Sequence, residues 1–360
     1  MRYLFIVQGD GRGHLTQAIA LSDMLRRQGH EVVEVLVGKS ISRTVPDFFY
    51  EKIGAKVRLY NTPSFIFKNN KKHIHPLKTL IYNVNPKRLR EYKKSIEMIN
   101  RRINKHKPDV VINFYEVLAG LAHLRFNIET PFINVGHQYL IKHPQYQHSK
   151  GDEQGLMFFR LNTLICSIGA TKTLALSFYP MKDHVPDRIA VVPSLLRKEI
   201  MELNPTEGNF ILGYMLNQGY EDEVREWHKK NPEMELNFFW DKKDALKETM
   251  IDHTLTLHTL DDERFLNYMA RCKGFISTAG FESICEAFYL NKPVMMIPVH
   301  VEQEVNAKDA ASTGLGIIGK SFDIGVLIKY IQEYKPNNNS FKEWVDRGEE
   351  IFLKHLTTLV

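Results

Sequence analysis

The 360-residue chain reads as an α/β protein made of two bodies. Three observations predict this. Short apolar runs alternate with segments of helical period, the signature of βαβ units and parallel sheets. The alternation stops near residue 200 and then restarts with a new strand. The charge also changes sign there: residues 1–200 carry 31 Lys+Arg against 16 Asp+Glu, and residues 201–360 carry 17 against 26. An apolar fraction of 43% is ample for two cores and excludes a disordered chain.

The elements follow in order. Tyr3–Val7 is a strand ending in Gly9-Asp10-Gly11-Arg12-Gly13, and a helix opens at His14 with Leu15, Ala18, Ile19 and Leu25 at helical spacing. Gly29 stops it, and Glu31–Val37 is a second strand. Strands are expected at 55–60, 109–114, 131–135, 173–177 and 188–192. A long helical stretch over 76–103, broken at Pro86, and a helix over 116–126 lie among them. A linker over 195–208, with Asn204-Pro205 and Gly208, precedes the restart. Strands follow at 209–214, 235–240, 274–277, 294–298 and 316–318, with helices at 221–230, 261–272, 281–289, 304–312, 324–333 and 341–359. Cys166, Cys272 and Cys285 are odd in number and widely spaced, so neither a disulfide framework nor a zinc site is expected, and a reducing, cytoplasmic setting is. No run approaches the ~20 apolar residues of a membrane span.

Two constellations carry chemistry. The first is Gly9-x-Gly11-x-Gly13-His14. A dinucleotide fingerprint needs G-x-G-x-x-G and an acid ending the second strand, but here that strand ends Val37-Gly38-Lys39. His14, at a helix start, faces the positive end of the dipole and reads either as a neutral general base or as a cap of the turn. The second runs from Ser277 to Gln303. A strand ends in Thr278-Ala279-Gly280, and a helix starting near Phe281 offers free N–H groups that, with Ser283, suit a diphosphate. Glu286 lies one turn further on the same face, placed for vicinal ribose hydroxyls. Glu302-Gln303 follow the next strand in a loop, where an acid and an amide can read sugar hydroxyls. An ordinary βαβ unit with surface carboxylates is the plainer reading of the same spacing.

The stretch Ser277–Gln303 resembles the donor signature of GT-B nucleotide-sugar glycosyltransferases, from the turn through the glutamate and two prolines to the acid-Gln pair. Gly9–Leu25 and Pro108–Ile112 resemble the same superfamily, of the family 28 and family 1 kind: bacterial peptidoglycan-precursor N-acetylglucosaminyltransferases and UDP-glycosyltransferases. The resemblance implies two facing Rossmann-like domains with a cleft between them. It sets an acceptor domain over 1–195, a donor domain over 206–335, and a final helix over 336–360 that can cross back to the first. It implies that His14 takes the acceptor proton and that Gly11, Gly13, Glu116 and His137 lie on the acceptor side. Asp10, Glu116 and His137 are candidates to orient His14. On the donor side it implies Thr278, Ala279, Gly280 and Ser283 at the diphosphate, with the loop Gly213–Gly219 including Asn217. Glu286 falls on the ribose, Glu302 and Gln303 on the sugar, and the loop around His258 on the nucleobase. The chain departs from the pattern at Thr278 for histidine, Glu282 for asparagine, Asn291 for glycine and Glu302 for aspartate.

No D-x-D triplet occurs, so no metal and no cofactor are expected, and a helix N-terminus would stabilise the leaving diphosphate. The expected reaction is inverting transfer of a hexose or N-acetylhexosamine from a UDP-sugar to a hydroxyl acceptor, lipid-linked or of the cell envelope. The rivals are a UDP-sugar 2-epimerase and a non-catalytic nucleotide-sugar or lipid-binding partner. From Lys68 to Lys107 there are thirteen Lys+Arg and two acids, interleaved with apolar residues. That pattern suits an anionic membrane surface, with peripheral placement on its cytoplasmic face, or a solvated helix packing its stripe on a sheet. No nucleic-acid reader motif occurs. The sequence leaves the oligomeric state open.

Overall fold

The structure, a computed structural model, describes every residue except 41–43, 65, 67–75, 147–152, 216–219, 241–245, 336 and 358–360. Its contacts fall into two units. The first comprises Met1–Ile66, His75–Arg197 and Trp344–Val360; the second comprises Lys198–Glu343.

The first unit runs β1 (Arg2–Gln8), α1 (Arg12–Arg27), β2 (Glu31–Lys39), α2 (Asp47–Lys52), β3 (Val57–Asn61), α3 (Pro76–Asn83), α4 (Pro86–His106), β4 (Val110–Phe114), α5 (Val117–Phe126), β5 (Phe132–Gly136), α6 (Glu153–Cys166), β6 (Lys172–Ser177) and β7 (Ile189–Pro193). Its sheet has the order β3-β2-β1-β4-β5-β6-β7, with every pairing parallel. Parallel neighbours need helical crossovers, and these cover the strands, which explains their near-continuous apolar runs. The order reverses at β1, between β2 and β4. Such a switch point leaves a crevice outside the carboxyl ends of the strands.

The second unit runs α7 (Lys198–Glu202), β8 (Ile211–Met215), α8 (Glu221–Lys230), β9 (Leu236–Trp240), β10 (Glu248–Met250), β11 (Leu255–Thr259), α9 (Asp262–Arg271), β12 (Gly274–Ser277), α10 (Phe281–Tyr289), β13 (Val294–Met296), α11 (Val301–Ser312), β14 (Gly316–Ile318) and α12 (Ile324–Glu333). The order is β10-β11-β9-β8-β12-β13-β14, parallel except for the β10–β11 hairpin. Here the reversal lies at β8, between β9 and β12. α13 (Asn339–Asp346) and α14 (Gly348–Thr357) end the described chain. α14 is held in the first unit by Glu349, which accepts from Arg27 and Gln28, and by Lys172 Nζ, which donates to the His355 carbonyl.

The basic segment divides where proline dictates. Asn85 caps α4 by accepting from the Lys87 N–H, with Pro86 at the first helical position. Tyr92, Ser95, Ile99 and Ile103 recur at helical spacing and are buried against β-sheet residues such as Leu36 and Val111. Burying each large apolar chain contributes about 1.5–3 kcal/mol. The part of Lys68–Lys107 in α4 is thus a helix with its stripe on the sheet and most of its cations turned outward, Arg102 excepted. Around the junction of α3 and α4, by contrast, Leu80, Ile81, Val84 and Leu89 are exposed beside Lys78, Lys87 and Arg90. Residues 68–75 lie outside the described part. α4 is also tied down by Glu34, a fully buried β2 carboxylate bonded by Arg58 and Arg102 and 3.3 Å from His106 Nε2. Burial raises its pKa, but hydrogen bonds and charge from Arg102 and Arg58 outweigh this and leave it below the usual value.

Two expectations need correction. The stretch between 136 and 172 holds a fourteen-residue helix, α6, where no element was foreseen. A hairpin, β10–β11, occupies part of the region between 240 and 261. Among the described residues, no helix is long and apolar enough to cross a membrane.

Candidate active site

At the first switch point, β1 ends and Gly9 donates its N–H to the Gly38 carbonyl at 2.7 Å. A Cβ on Gly9 would lie 2.7 Å from that oxygen and from Val37 Cγ1, so only glycine lets the two strand ends approach this closely. Gly11 is the N-cap of α1 at φ −109°, with no side-chain cap, and Gly13 lies inside the first turn. Neither takes a positive φ. The motif therefore works through close approach at Gly9, and the left-handed freedom that glycines permit is not used.

His14 sits on the first turn of α1 and is 8% exposed. Its Nδ1 lies 3.2 Å from Gln17 Oε1, and its Nε2 lies 3.3 Å from Gln138 Nε2. An amide oxygen must accept and an amide nitrogen must donate. Both contacts are met by one species: neutral imidazole with its proton on Nδ1 and a lone pair on Nε2. The Tyr115 ring stacks on the imidazole with centroids 5.8 Å apart and planes 23° apart. Tyr115 holds a left-handed backbone, φ 57°, at the turn from β4 to α5, and its hydroxyl meets Thr163 Oγ1 at 2.8 Å. A non-glycine residue at such a φ costs about 1 kcal/mol or more, and it persists where surrounding contacts over-determine it.

The three groups proposed from sequence to orient His14 are engaged elsewhere. Asp10 Oδ1 accepts from the Ser40 N–H at 3.0 Å. His137 donates from Nδ1 to the Leu176 carbonyl at 2.7 Å, and burial pulls its pKa down to about 4, so it is neutral. Glu116 caps α5: its Oε1 accepts from Thr62 Oγ1 at 2.6 Å and from the Leu118 N–H at 3.1 Å. Its other oxygen is buried without a hydrogen-bond partner among the described residues, over Gly38, where a Cβ would come within 2.3 Å of it. Burial raises the Glu116 pKa to about 7; the bonds from Thr62 and Leu118 oppose this, and the charge of Asp10 adds to it. Gln17 and Gln138 were not foreseen. Gln17 was legible, three residues after His14 on one helix face. Gln138 was not, since it comes from the short 3-10 helix His137–Lys142 after β5, 124 residues away.

At the second switch point, β12 ends at Ser277 and the turn closes with Gly280 N–H on the Thr278 carbonyl at 2.6 Å. Gly280 is the N-cap of α10 and supplies no side chain to cap it. Thr278 and Ala279 are buried, and Asn306 Nδ2 donates to the Ala279 carbonyl at 3.3 Å. Ser283 Oγ turns toward the Gly280 carbonyl at 3.4 Å. Glu286 lies one turn on and is buried. Glu302 and Gln303 lie in the first turn of α11, not in a loop, because the helix starts at Val301. Gln303 is buried and uses Oε1 to accept from the Val299 N–H at 3.0 Å. Asn291 takes φ 55°, a conformation glycine and asparagine tolerate, and its Oδ1 accepts from Tyr334.

Two donor-side expectations are corrected, and two fall outside view. Gly213 lies inside β8, where a Cβ would come within 2.0 Å of the Phe238 ring. Its smallness serves sheet packing. His258 lies in β11, fully buried, stacked on Phe239 at 4.8 Å and donating from Nε2 to Asn237 Oδ1 at 2.8 Å. Burial lowers its pKa to about 4, so its ring is a neutral core group. Asn217 and Gly219 lie outside the described residues.

The chain matches the profile described as glycosyl transferase family 1 over residues 1–333. It is 23% identical, over 95% of its length and 92% of the relative's, to the UDP-N-acetylglucosamine–N-acetylmuramyl-(pentapeptide) pyrophosphoryl-undecaprenol N-acetylglucosamine transferase of Fusobacterium nucleatum. Among solved structures it resembles the spinosyn forosaminyltransferase SpnP, with a TM-score of 0.61 at 12% identity, covering 100% of this chain and 99% of that one. Acinetobacter baumannii MurG gives 0.55 at 14%, covering 99% of each. The glycosyltransferase SnogD of Streptomyces nogalater gives 0.57 at 15%, covering 100% and 99%. These likenesses agree with the two seven-stranded α/β units in giving the GT-B fold. The chain is a glycosyltransferase enzyme and belongs to glycosyl transferase family 1.

Proposed function

We propose that the enzyme moves a hexose or N-acetylhexosamine from a UDP-sugar to a hydroxyl acceptor, with inversion and without a metal ion. The observation that carries this is the state of His14: a neutral imidazole on a helix's first turn with its lone pair on Nε2. The acceptor oxygen attacks the anomeric carbon in line, and its proton passes to Nε2. The bond from that carbon to the diphosphate oxygen breaks, and its electron pair leaves with UDP. The N–H groups at the start of α10, where Gly280 supplies no side-chain cap, take up the developing charge with Ser283. Glu286 accepts from the ribose hydroxyls, and Glu302 and Gln303 read the sugar.

A lipid-linked acceptor and a peripheral position on the cytoplasmic membrane face belong to the same reading. What supports them is the exposed apolar group Leu80, Ile81, Val84 and Leu89 among cations, together with the undecaprenol-linked substrate named for the Fusobacterium relative. The test is a thermal-shift panel of UDP-sugars. Ligand at 100 times its Kd stabilises by about 2.7 kcal/mol, which is read as a rise in Tm. A panel in which no UDP-sugar moves the Tm sinks the reading.

A further inference from the structure

We propose that Gln17 and Gln138 are the positioning residues of the base: together they hold His14 as the Nδ1–H tautomer, and the acceptor hydroxyl reaches Nε2 by displacing the Gln138 amide. The inference deepens the transferase reading and rests on it only for the word acceptor; the tautomer stands on the geometry alone.

Each link follows from donor and acceptor chemistry. Gln17 Oε1 can only accept, so His14 Nδ1 carries a proton. Gln138 Nε2 can only donate, so His14 Nε2 is bare. The tautomer of a histidine is set by the bond its other nitrogen makes, and here both nitrogens agree. The Tyr115 ring, held by its left-handed backbone and by Thr163, fixes the plane of the imidazole over which these two bonds act. The only atom of the ring able to take a proton is therefore the one Gln138 covers. A hydroxyl that arrives at Nε2 must replace that N–H as the donor. The displaced amide stays within reach of the incoming oxygen, so Gln138 passes from guarding the base to contacting the acceptor.

The two amides act on opposite charge states, which makes the idea testable without substrate. A donor to Nε2 favours neutral imidazole, so Gln138→Leu should raise the His14 pKa. An acceptor from Nδ1–H favours the imidazolium more than the neutral ring, so Gln17→Leu should lower it. Each shift should be about 0.7 pH unit, a fivefold change in proton affinity, the size expected of one hydrogen bond. The experiment is a pH titration of the full chain labelled with 15N-histidine, with His14→Gln to assign the signal. The expected result is a protonated Nδ1 and a bare Nε2 in the unmodified protein, and shifts of opposite sign in the two variants. A protonated Nε2, or shifts of the same sign, overturns the proposal. If Gln138→Leu does not fold, Gln138→Met keeps the chain length and asks the same question. Failure of the transferase reading would show instead as an unmoved Tm in the UDP-sugar panel.

Discussion

The two switch points share one topology and differ in the side chains they carry. In both units a strand ends, a short glycine-bearing turn follows, and a helix starts without a side-chain cap. At β1–α1 a titratable ring projects from the first helical turn, and a buried carboxyl stands on the neighbouring β4–α5 turn. At β12–α10 the first turn offers backbone N–H groups, and the carboxylate of Glu286 comes a turn later. On the proposed function, the first moves a proton and the second holds an anion and its hydroxyls. Fold alone does not distinguish them; the side chain at the third helical position does, His14 in one and Ser283 in the other.

The largest expected effect tests this division. His14→Ala should lower kcat by about 10²–10⁴-fold, the usual contribution of a positioned base. The rise in Tm given by a UDP-sugar should stay. Steady-state kinetics and thermal shift on the same variant check both halves. Loss of the UDP-sugar shift together with kcat would break the division, and full activity would remove the base.

The next effect concerns Glu116. Its folded pKa, about 7, lies above the unfolded value, so the folded state holds the proton more tightly. Its stabilising contribution is complete below about pH 4 and is lost as pH rises through 7, by up to about 3 kcal/mol. Denaturant unfolding from pH 5 to 8 should show this fall, and Glu116→Gln should flatten it. A wild-type curve that rises over the same range would show that the buried charge is compensated.

How much of this was legible in the sequence depended on whether the signal was local. Apart from β10 and β11, the strands came within about two residues, because a parallel strand covered on both faces must be a continuous apolar run. α4 was legible because Asn85, Pro86 and a stripe from Tyr92 to Ile103 agree. α6 was not: Met157, Phe158, Leu161 and Leu164 are exposed and apolar, so the helix lacks the polar outer face that marks a helical period. The positions of His14, Ser283 and Glu286 on helices that follow a strand were legible from spacing. The Gln138 contact and the Phe238 packing that explains Gly213 join residues far apart in sequence, and no local pattern records them.

Glu286 sharpens the donor half of the comparison. Hydrogen bonds to a charged group contribute about 1.5–3 kcal/mol, so Glu286→Ala should weaken UDP-sugar binding by about 10- to 100-fold. Titration calorimetry with the UDP-sugar that raises the Tm most would measure it. Binding unchanged within twofold would take the ribose away from Glu286. The same variant should leave the His14 titration where it is.

The glycines of the two turns give the smallest effect and the cleanest contrast. Gly9→Ala places a Cβ 2.7 Å from a backbone oxygen that belongs to the paired strand and cannot swing aside. Overpacking of this kind costs about 1–3 kcal/mol. Gly280→Ala meets nothing nearer than 3.8 Å, at a φ of −74° that alanine adopts freely. Its cost to stability is the difference between two poor N-caps, a few tenths of a kcal/mol. Its Cβ nevertheless stands beside the N–H groups that would receive the diphosphate, so its effect should appear in UDP-sugar affinity. Chemical denaturation of both variants, with and without the UDP-sugar, separates the two uses. If Gly280→Ala destabilises the free protein as much as Gly9→Ala, the second turn is shaped by packing, as the first is, and the anion-holding reading of α10 loses its steric support.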